Sequence, residues 1–206
     1  MAEQRYVIAR WGIPAALTLA IAGVVWREAA AARFRAPLPV LNQVPAFTLV
    51  SQTGEPITRE TLRGQIWIAD FIFSRCAGQC PMMTSQMSTV ASEFPNEPSL
   101  TLVSFSVDPD WDTPEVFAAY AKRLGASAKR WHFVTGDAAS IRRLCLTGFR
   151  LALGDSSGSM AEPITHSTRL VLIDRTGGVR GYYDATDPVR LQQLRRDVRQ
   201  LLREQS

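Results

Sequence analysis

The sequence is poor in the residues that build stapled or zinc-filled scaffolds. It has three cysteines in 206 residues, too few for a disulfide-dense secreted domain. Its two histidines, His132 and His166, stand 34 residues apart, so the sequence has no second closely spaced Cys or His pair of the kind that closes a four-ligand zinc site. Hydrophobic residues make up 46% of the chain and charged residues 20%, which excludes a disordered chain, a coiled coil and a collagen-like fibre.

An excess of charge of one sign is also lacking in the body of the chain. The formal net charge is +4, but residues 1–36 carry +3 and residues 187–206 carry +2. The residues between them therefore sum to −1. A basic nucleic-acid-binding face has no support in this distribution, and we expect no nucleic-acid partner.

One uncharged segment, residues 11–26, stands near the amino terminus between two arginines. Sixteen helical residues span roughly 24 Å, a little less than a hydrocarbon core of about 30 Å. Trp11 and Trp26 occupy the places of interfacial anchors. The segment predicts a single-pass anchor in an inner membrane, with the soluble domain on the extracytoplasmic (periplasmic) side. A signal peptide cleaved near residues 29–31 is the alternative, and it also exports the domain.

The rest of the chain alternates between strand and helix patterns. We predict an anchor region at 1–35, a proline-rich extended linker at 36–46 and a folded domain at 47–203. Apolar runs at 66–73 and 100–107 are typical of strands buried on both faces. The other predicted elements are a hairpin at 47–57, helices at 82–94, 112–124 and 137–146, short strands at 131–134 and 150–153, a hairpin at 169–183 and a helix from Asp187. This order predicts an α/β sandwich with a mixed central sheet flanked by helices, as in thioredoxin-like folds.

Cys76 and Cys80 follow the first buried strand and precede a helix that we expect to begin near Pro81. At a helix amino terminus the dipole favours a thiolate, and neighbouring Arg75 adds positive charge. A spacing of one helical turn lets both sulfurs face the same way. The pair can therefore close a disulfide or share one soft metal ion such as Cu(I).

A third ligand to such a metal would have to be one of two histidines. His166 follows a polar loop at the start of a strand, where it can point across the sheet edge at the cysteines, or it is simply a loop histidine. His132 lies among bulky residues of a predicted strand and is typical of a packed or surface histidine. Cys145 is interpreted as a small core residue, and Met82, Met83 and Met87 as a flexible hydrophobic helix face.

These motifs, taken together, resemble the Sco/SenC family of membrane-anchored, thioredoxin-like copper-binding proteins. The similarity is collinear from about residue 40 to residue 203 and rests on DFIFSRCAGQCP, SVDPDWDTPEVF, RWHFVTGD and ITHSTRLVLIDRTGG. Ala77 departs from the family pattern, which usually has proline directly after the first cysteine. Asp108 and Asp112 match family positions, but each is interpreted here as a structural strand end or helix cap.

The resemblance implies that copper, as Cu(I) or Cu(II), binds to Cys76, Cys80 and His166. It implies a metallochaperone or thiol reductant for the binuclear copper centre of cytochrome c oxidase, with a copper-receiving oxidase subunit or another copper chaperone as partner. Such a protein binds and assembles rather than turning over a substrate. The alternative is a thiol–disulfide oxidoreductase that uses Cys76 and Cys80 as a redox-active pair without a metal. A thioredoxin-type peroxidase and a purely structural domain fit the residues less well.

Overall fold

The computed structural model describes Thr18, residues 21–24, Trp26, residues 36–151 and residues 167–204. The chain divides into two units, residues 1–38 and residues 39–206. The fold that follows belongs to the second unit.

Much of the predicted membrane span at 11–26 lies outside the described residues, and its described positions are helical. Within the described part of the chain, no helix combines the length and the apolar character needed to cross a membrane. The alternative cleavage region at 29–31 also lies outside the described residues.

A mixed sheet of eight strands, counted among the described residues, forms the centre of the second unit. The strands are β1 (Asn42–Gln43), β2 (Thr48–Ser51), β3 (Pro56–Thr58), β4 (Ile66–Ile72), β5 (Leu100–Ser106), β6 (Trp131–Thr135), β7 (Arg169–Ile173) and β8 (Gly178–Asp184). Their order across the sheet is β1-β8-β7-β4-β5-β6-β2-β3. Strands β4, β5 and β6 are parallel, and the remaining pairs are antiparallel.

Four α-helices and one π-helical turn accompany the described strands. They are α1 (Gln79–Ser92), α2 (Pro114–Leu124), α3 (Ala138–Arg143), the π-helical turn (Leu144–Gly148) and α4 (Pro188–Arg203). Three of the helices begin at side-chain caps, with Thr113, Asp137 and Asp187 accepting hydrogen bonds from the first turns of α2, α3 and α4. Gly125 ends α2 in the left-handed conformation, at φ 64°.

The sheet is covered on both faces, because every residue of β4 and β5 is buried. Successive side chains of a strand point to opposite faces. Phe71 of β4 stacks on Phe105 of β5 and meets Phe149, which follows the π-helical turn, so this face is aromatic. Phe133 of β6 points to the other face, where it packs against Tyr120 of α2. The described fold is thus the predicted mixed-sheet sandwich.

The structure differs from the sequence-based predictions at the start of one helix, in the linker and at one short strand. Helix α1 begins at Gln79, two residues before Pro81, because Gly78 takes the N-cap position. The predicted linker 36–46 contains β1, whose residues Asn42 and Gln43 pair antiparallel with Val179 and Gly178 of β8. The strand predicted at 150–153 does not form at its described positions, since Arg150 has a positive φ of 49°.

Candidate metal centre

Two cysteines flank the start of α1, as the sequence predicted. Cys76 lies in the loop after β4, and Cys80 is the second residue of the helix. Helix α1 has no side-chain cap, because its N-cap residue is Gly78. The first turn of this helix therefore offers backbone N–H groups beside the cysteine pair.

Neither cysteine takes part in a disulfide, and both are buried. The Cys76 and Cys80 side chains are joined by a hydrogen bond. Cys80 is 0% exposed and Cys76 is 9% exposed, so both cysteines are buried and Cys76 is the less deeply buried of the two. A pair of neighbouring cysteines can close a disulfide or bind one metal ion.

The expected stabilisation of a thiolate is not found at Cys80. Burial raises the pKa of the Cys80 thiol well above its ordinary value, and Cys76 and Asp70 raise it further, against a lowering hydrogen bond from the Phe73 backbone. The sequence predicted that the helix dipole and Arg75 favour a thiolate at this pair, and at Cys80 burial opposes that effect. Desolvation of a fully buried sulfur outweighs both.

Arg75 instead contacts the loop between β5 and α2. Its Nε donates a hydrogen bond to Asp108 Oδ2 at 2.8 Å, and its guanidinium lies 4.9 Å from the ring centroid of Trp111. Trp111 is 52% exposed, so the cation and the indole form a surface feature directly beside Cys76.

Asp112 connects the loop between β5 and α2 to the cysteine loop through buried hydrogen bonds. Its carboxylate accepts hydrogen bonds from the Ser74 backbone N–H at 3.1 Å, from the Ser74 hydroxyl and from the Ser106 hydroxyl at 2.8 Å. Burial raises its pKa, and these hydrogen bonds oppose that rise. Because Thr113 caps α2, Asp112 is not the helix cap. Its structural role is to hold the two loops together.

Further polar groups lie behind the cysteines. The Thr84 hydroxyl donates to the Cys80 carbonyl at 2.7 Å and lies 3.2 Å from the Tyr120 hydroxyl. Burial raises the pKa of Tyr120, and Cys80, Asp70 and Cys76 each add to the rise. Sequence reasoning missed Tyr120 and Asp70, although an aspartate inside the apolar run IWIADFIF is a visible signal for the second.

The structure gives the position of only one of the two histidines relative to the cysteine pair. His166 lies outside the described residues, as do Thr165 and the loop 154–163. His132 is half-buried on β6, and burial lowers its pKa. Because Phe133 faces α2, the adjacent His132 points to the opposite face of the sheet, away from Cys80. His132 is therefore not an alternative third ligand.

The interpretations of the other sulfur residues are confirmed. Cys145 is fully buried, and burial raises the pKa of its thiol to about 12, against an opposing effect of Arg142. Met83 and Met87 are fully buried in the core, and Met82 is half-buried on α1. These residues pack in the interior, as the sequence predicted.

The donor chemistry of the described site fits a soft metal. Two thiols in contact suit Cu(I), which accepts two sulfur ligands, better than a hard cation. Within residues 36–151 and 167–204, no group of three His, Cys, Asp or Glu side chains is arranged to hold a metal ion.

Known proteins share this arrangement of sheet and helices. A SCO1 protein homolog of Bacillus subtilis is 29% identical over 163 residues, which are 78% of this chain and 83% of that protein. The solved structure of BsSco, a member of the Sco family of cytochrome c oxidase assembly proteins in which a disulfide switch was identified, has a TM-score of 0.70 at 27% identity and covers 82% of this chain and 100% of that one.

A third likeness concerns the fold alone. Bradyrhizobium japonicum ScoI, solved with copper bound, has a TM-score of 0.62 at 22% identity, over 75% of this chain and 98% of that one. The thioredoxin-like architecture expected from the sequence is thereby confirmed. The SCO1/SenC family itself matches residues 37–203, which is most of the sequence. The chain therefore belongs to the SCO1/SenC family.

Proposed function

We propose that this protein binds copper as cargo through Cys76, Cys80 and His166 and serves the assembly of the binuclear copper centre of cytochrome c oxidase. The observation that carries the proposal is the buried pair Cys76 and Cys80 at the start of α1, which form no disulfide and lie within hydrogen-bond reach of each other. Membership of a family that includes cytochrome c oxidase assembly proteins and a copper-bound ScoI supports it.

The two sulfurs define what the site would accept. Thiolates are soft ligands that select Cu(I) over the hard cations of the extracytoplasmic space. An imidazole from His166 would complete an S₂N set, which Cu(II) needs more than Cu(I) does. The protein would act either as a metallochaperone that passes on the ion or as a thiol reductant of the receiving cysteines.

The partner would be the copper-receiving subunit of the oxidase or another copper chaperone. Such a partner requires the domain to face the extracytoplasmic side of an inner membrane, which the apolar segment 11–26 predicts. The exposed Trp111 and Arg75 give an approaching partner a surface to meet beside Cys76.

A second candidate function is thiol–disulfide exchange without a metal. The hydrogen bond between the Cys76 and Cys80 side chains favours it, because sulfurs in contact can form a disulfide. Cys76 would be the attacking sulfur, since it is the less deeply buried member of the pair.

Anaerobic titration of the reduced full-length protein with Cu(I) separates the two functions. We expect one tightly bound Cu(I) per chain, and roughly hundredfold weaker binding in Cys76→Ser and in Cys80→Ser, because a hydroxyl is a hard, protonated donor. Cys145→Ser is the matched control, since it also changes a buried thiol but lies away from the pair. It should bind copper like the wild type.

Two outcomes would overturn the proposal. One is copper binding that survives the loss of either Cys76 or Cys80. The other is a wild-type protein that binds no Cu(I) yet exchanges its Cys76–Cys80 disulfide with glutathione, which would establish the oxidoreductase instead.

A further inference from the structure

Two segments that are far apart in the sequence lie against each other at the π-helical turn. The Asn42 side chain donates hydrogen bonds to the carbonyl oxygen of Thr147 at 3.1 Å and to that of Gly148 at 2.6 Å. Pro45 packs directly on Gly148, where an added Cβ would come within 2.8 Å of the proline ring. The segment 42–45 is therefore held against the π-helical turn.

The same segment is also fixed to the sheet. The Leu41 backbone N–H donates to the Val179 carbonyl at 2.8 Å, and the Val44 backbone N–H donates to the Gly177 carbonyl at 2.9 Å. The chain is thus part of the folded domain from Leu41 onward. Residues 27–40 connect this point to the predicted span at 11–26, and even fully extended they reach no more than about 50 Å.

Apolar side chains are exposed at the same place. Leu41 and Leu146 are each 44% exposed, and Val40 is 59% exposed. Leu41 adjoins Asn42 and Leu146 adjoins Thr147, the two residues that a hydrogen bond joins. The exposed apolar residues therefore belong to one surface of the domain.

Two arginines border these apolar residues. Arg142 and Arg143 are both exposed in the last turn of α3. Neither forms an ion pair with another described residue. The Arg143 carbonyl accepts a hydrogen bond from the Thr147 hydroxyl at 2.8 Å, so the arginine pair lies one turn before Leu146.

The acidic groups nearby do not cancel this positive charge. Glu60 shares the lining of a cavity with Arg143, but Glu60 is paired with Arg59 at 3.0 Å. Asp137 lies at the opposite end of α3, where it caps the helix. The surface thus combines exposed apolar side chains with a net positive charge, and we call it the exit face, formed by Val40, Leu41, Arg142, Arg143 and Leu146.

A surface of this composition suits an anionic lipid bilayer. Exposed apolar side chains enter the boundary between headgroups and acyl chains, and neighbouring arginines bind the anionic headgroups. The predicted span at 11–26 would bring such a bilayer within the reach of residues 27–40. A second copy of the chain is a poorer occupant, because two exit faces in contact would place their arginines against one another.

We propose that the exit face docks the folded domain on an anionic membrane surface. This inference rests on the predicted membrane span and does not depend on copper. Phe149, which follows the π-helical turn, packs on one face of the sheet, whereas α2 packs against Phe133 on the other face. Thr84 of α1 lies 3.2 Å from Tyr120 of α2, so α1 shares that second face. A domain docked through its exit face therefore keeps the cysteine helix on the far face of the sheet, where a partner can reach it.

Hydroxyl-radical footprinting of the full-length protein in lipid nanodiscs tests the proposal, because it measures how accessible each leucine side chain is to solvent. Single chains are placed in discs of phosphatidylcholine alone or of phosphatidylcholine with about 30% phosphatidylglycerol. We expect oxidation of Leu41 and Leu146 to be at least about threefold slower in the anionic discs. The difference should be lost at about 0.5 M salt, which screens the arginines from the headgroups.

Leu124 is the matched internal control. It is 39% exposed at the end of α2, directly after a second pair of basic residues, Lys122 and Arg123, but it does not belong to the exit face. Its oxidation rate should be the same in both kinds of disc. Protection of Leu124 equal to that of Leu146 would show general coverage by anionic lipid and would overturn the proposal.

Two charge-reversal variants separate the exit face from the rest of the surface. Arg142→Glu combined with Arg143→Glu should return the oxidation of Leu41 and Leu146 in anionic discs to the rate found in phosphatidylcholine discs. Lys122→Glu combined with Arg123→Glu changes the charge of the protein by nearly the same amount and should leave the protection of both leucines in place. A circular dichroism spectrum like that of the wild type confirms that each variant is folded.

Three results would overturn the proposal. They are equal oxidation of the two leucines in both lipids, protection that survives the reversal of both exit-face arginines, and a chain that does not insert into the discs. Protection that appears without discs as the protein concentration rises would identify a second copy as the occupant instead. Copper binding is a separate readout, since every variant retains Cys76 and Cys80 and should bind Cu(I) as the wild type does.

Discussion

Cys80 shows how burial decides the chemistry of a single residue. The favourable effect of a helix amino terminus on a negative charge is worth about 0.3–1 kcal/mol at an exposed position. Removing a charged group from water can shift a pKa by about 3–5 units, which is about 4–7 kcal/mol. Cys80 is fully buried, so the second effect wins and the thiol stays protonated until a metal or an oxidant displaces its proton.

His166 is the residue on which the third coordination position depends. Replacing His166 with alanine should leave Cu(I) binding within about threefold of the wild type, because two sulfurs suffice for Cu(I), while Cu(II) affinity falls by about a hundredfold or more. Separate anaerobic titrations with Cu(I) and Cu(II) measure the two affinities.

His132→Ala is the control for this experiment, since His132 is a half-buried histidine on the opposite face of the sheet from the cysteines. It should change neither affinity. Unaltered Cu(II) binding in His166→Ala would remove His166 from the ligand set, and because the structure places His132 out of reach, no histidine would then be a ligand.

Among the elements, the loop between β5 and α2 has the closest connection to the site. It is joined to the cysteine loop by the hydrogen bonds of Asp112 to Ser74 and by the ion pair of Asp108 with Arg75. The position of Cys76 is thereby linked to an element more than thirty residues further along the chain.

Asp112→Ala tests this connection. Removal of the carboxylate leaves the Ser74 backbone N–H and two hydroxyls without their acceptor, which should lower the free energy of unfolding by about 2–4 kcal/mol. Urea denaturation followed by circular dichroism measures the loss. Asp110→Ala, at an exposed position of the same loop, should change stability by less than about 0.5 kcal/mol. Equal stability of the two variants would show that the tie does not support the fold.

For the whole molecule, the amino-terminal segment decides where the domain works. We expect residues 11–26 to hold the protein in an inner membrane, so that the full-length chain fractionates with membranes and is released only by detergent. A variant with Leu19 and Ile21 both replaced by arginine should lose membrane association, because each charge in the middle of a span costs about 2.5–3.5 kcal/mol. A mature protein that begins near Ala32 on amino-terminal sequencing would show a cleaved signal peptide instead.

Local patterns in the sequence determined most of the architecture. The apolar runs predicted β4 and β5, the Thr-Pro and Asp-Pro pairs predicted the starts of α2 and α4, and Gly125 predicted the end of α2. The position of Cys76 and Cys80, between a buried strand and Pro81, placed the candidate site at the start of a helix. Each of these patterns depends only on residues that are close together in the sequence. The sequence alone therefore predicts the strand or the helix end that the pattern forms.

Only the tertiary structure decided which faces and partners the side chains have. Register across β4, β5 and β6 places Asp70 behind the cysteines and turns His132 to the other face. Pairing of β1 with β8 converts part of a predicted linker into strand, and the β5–α2 loop brings Asp112 to Ser74. These contacts join segments far apart in the chain, and burial, which controls the protonation of Cys80 and Asp70, exists only after those segments have packed together.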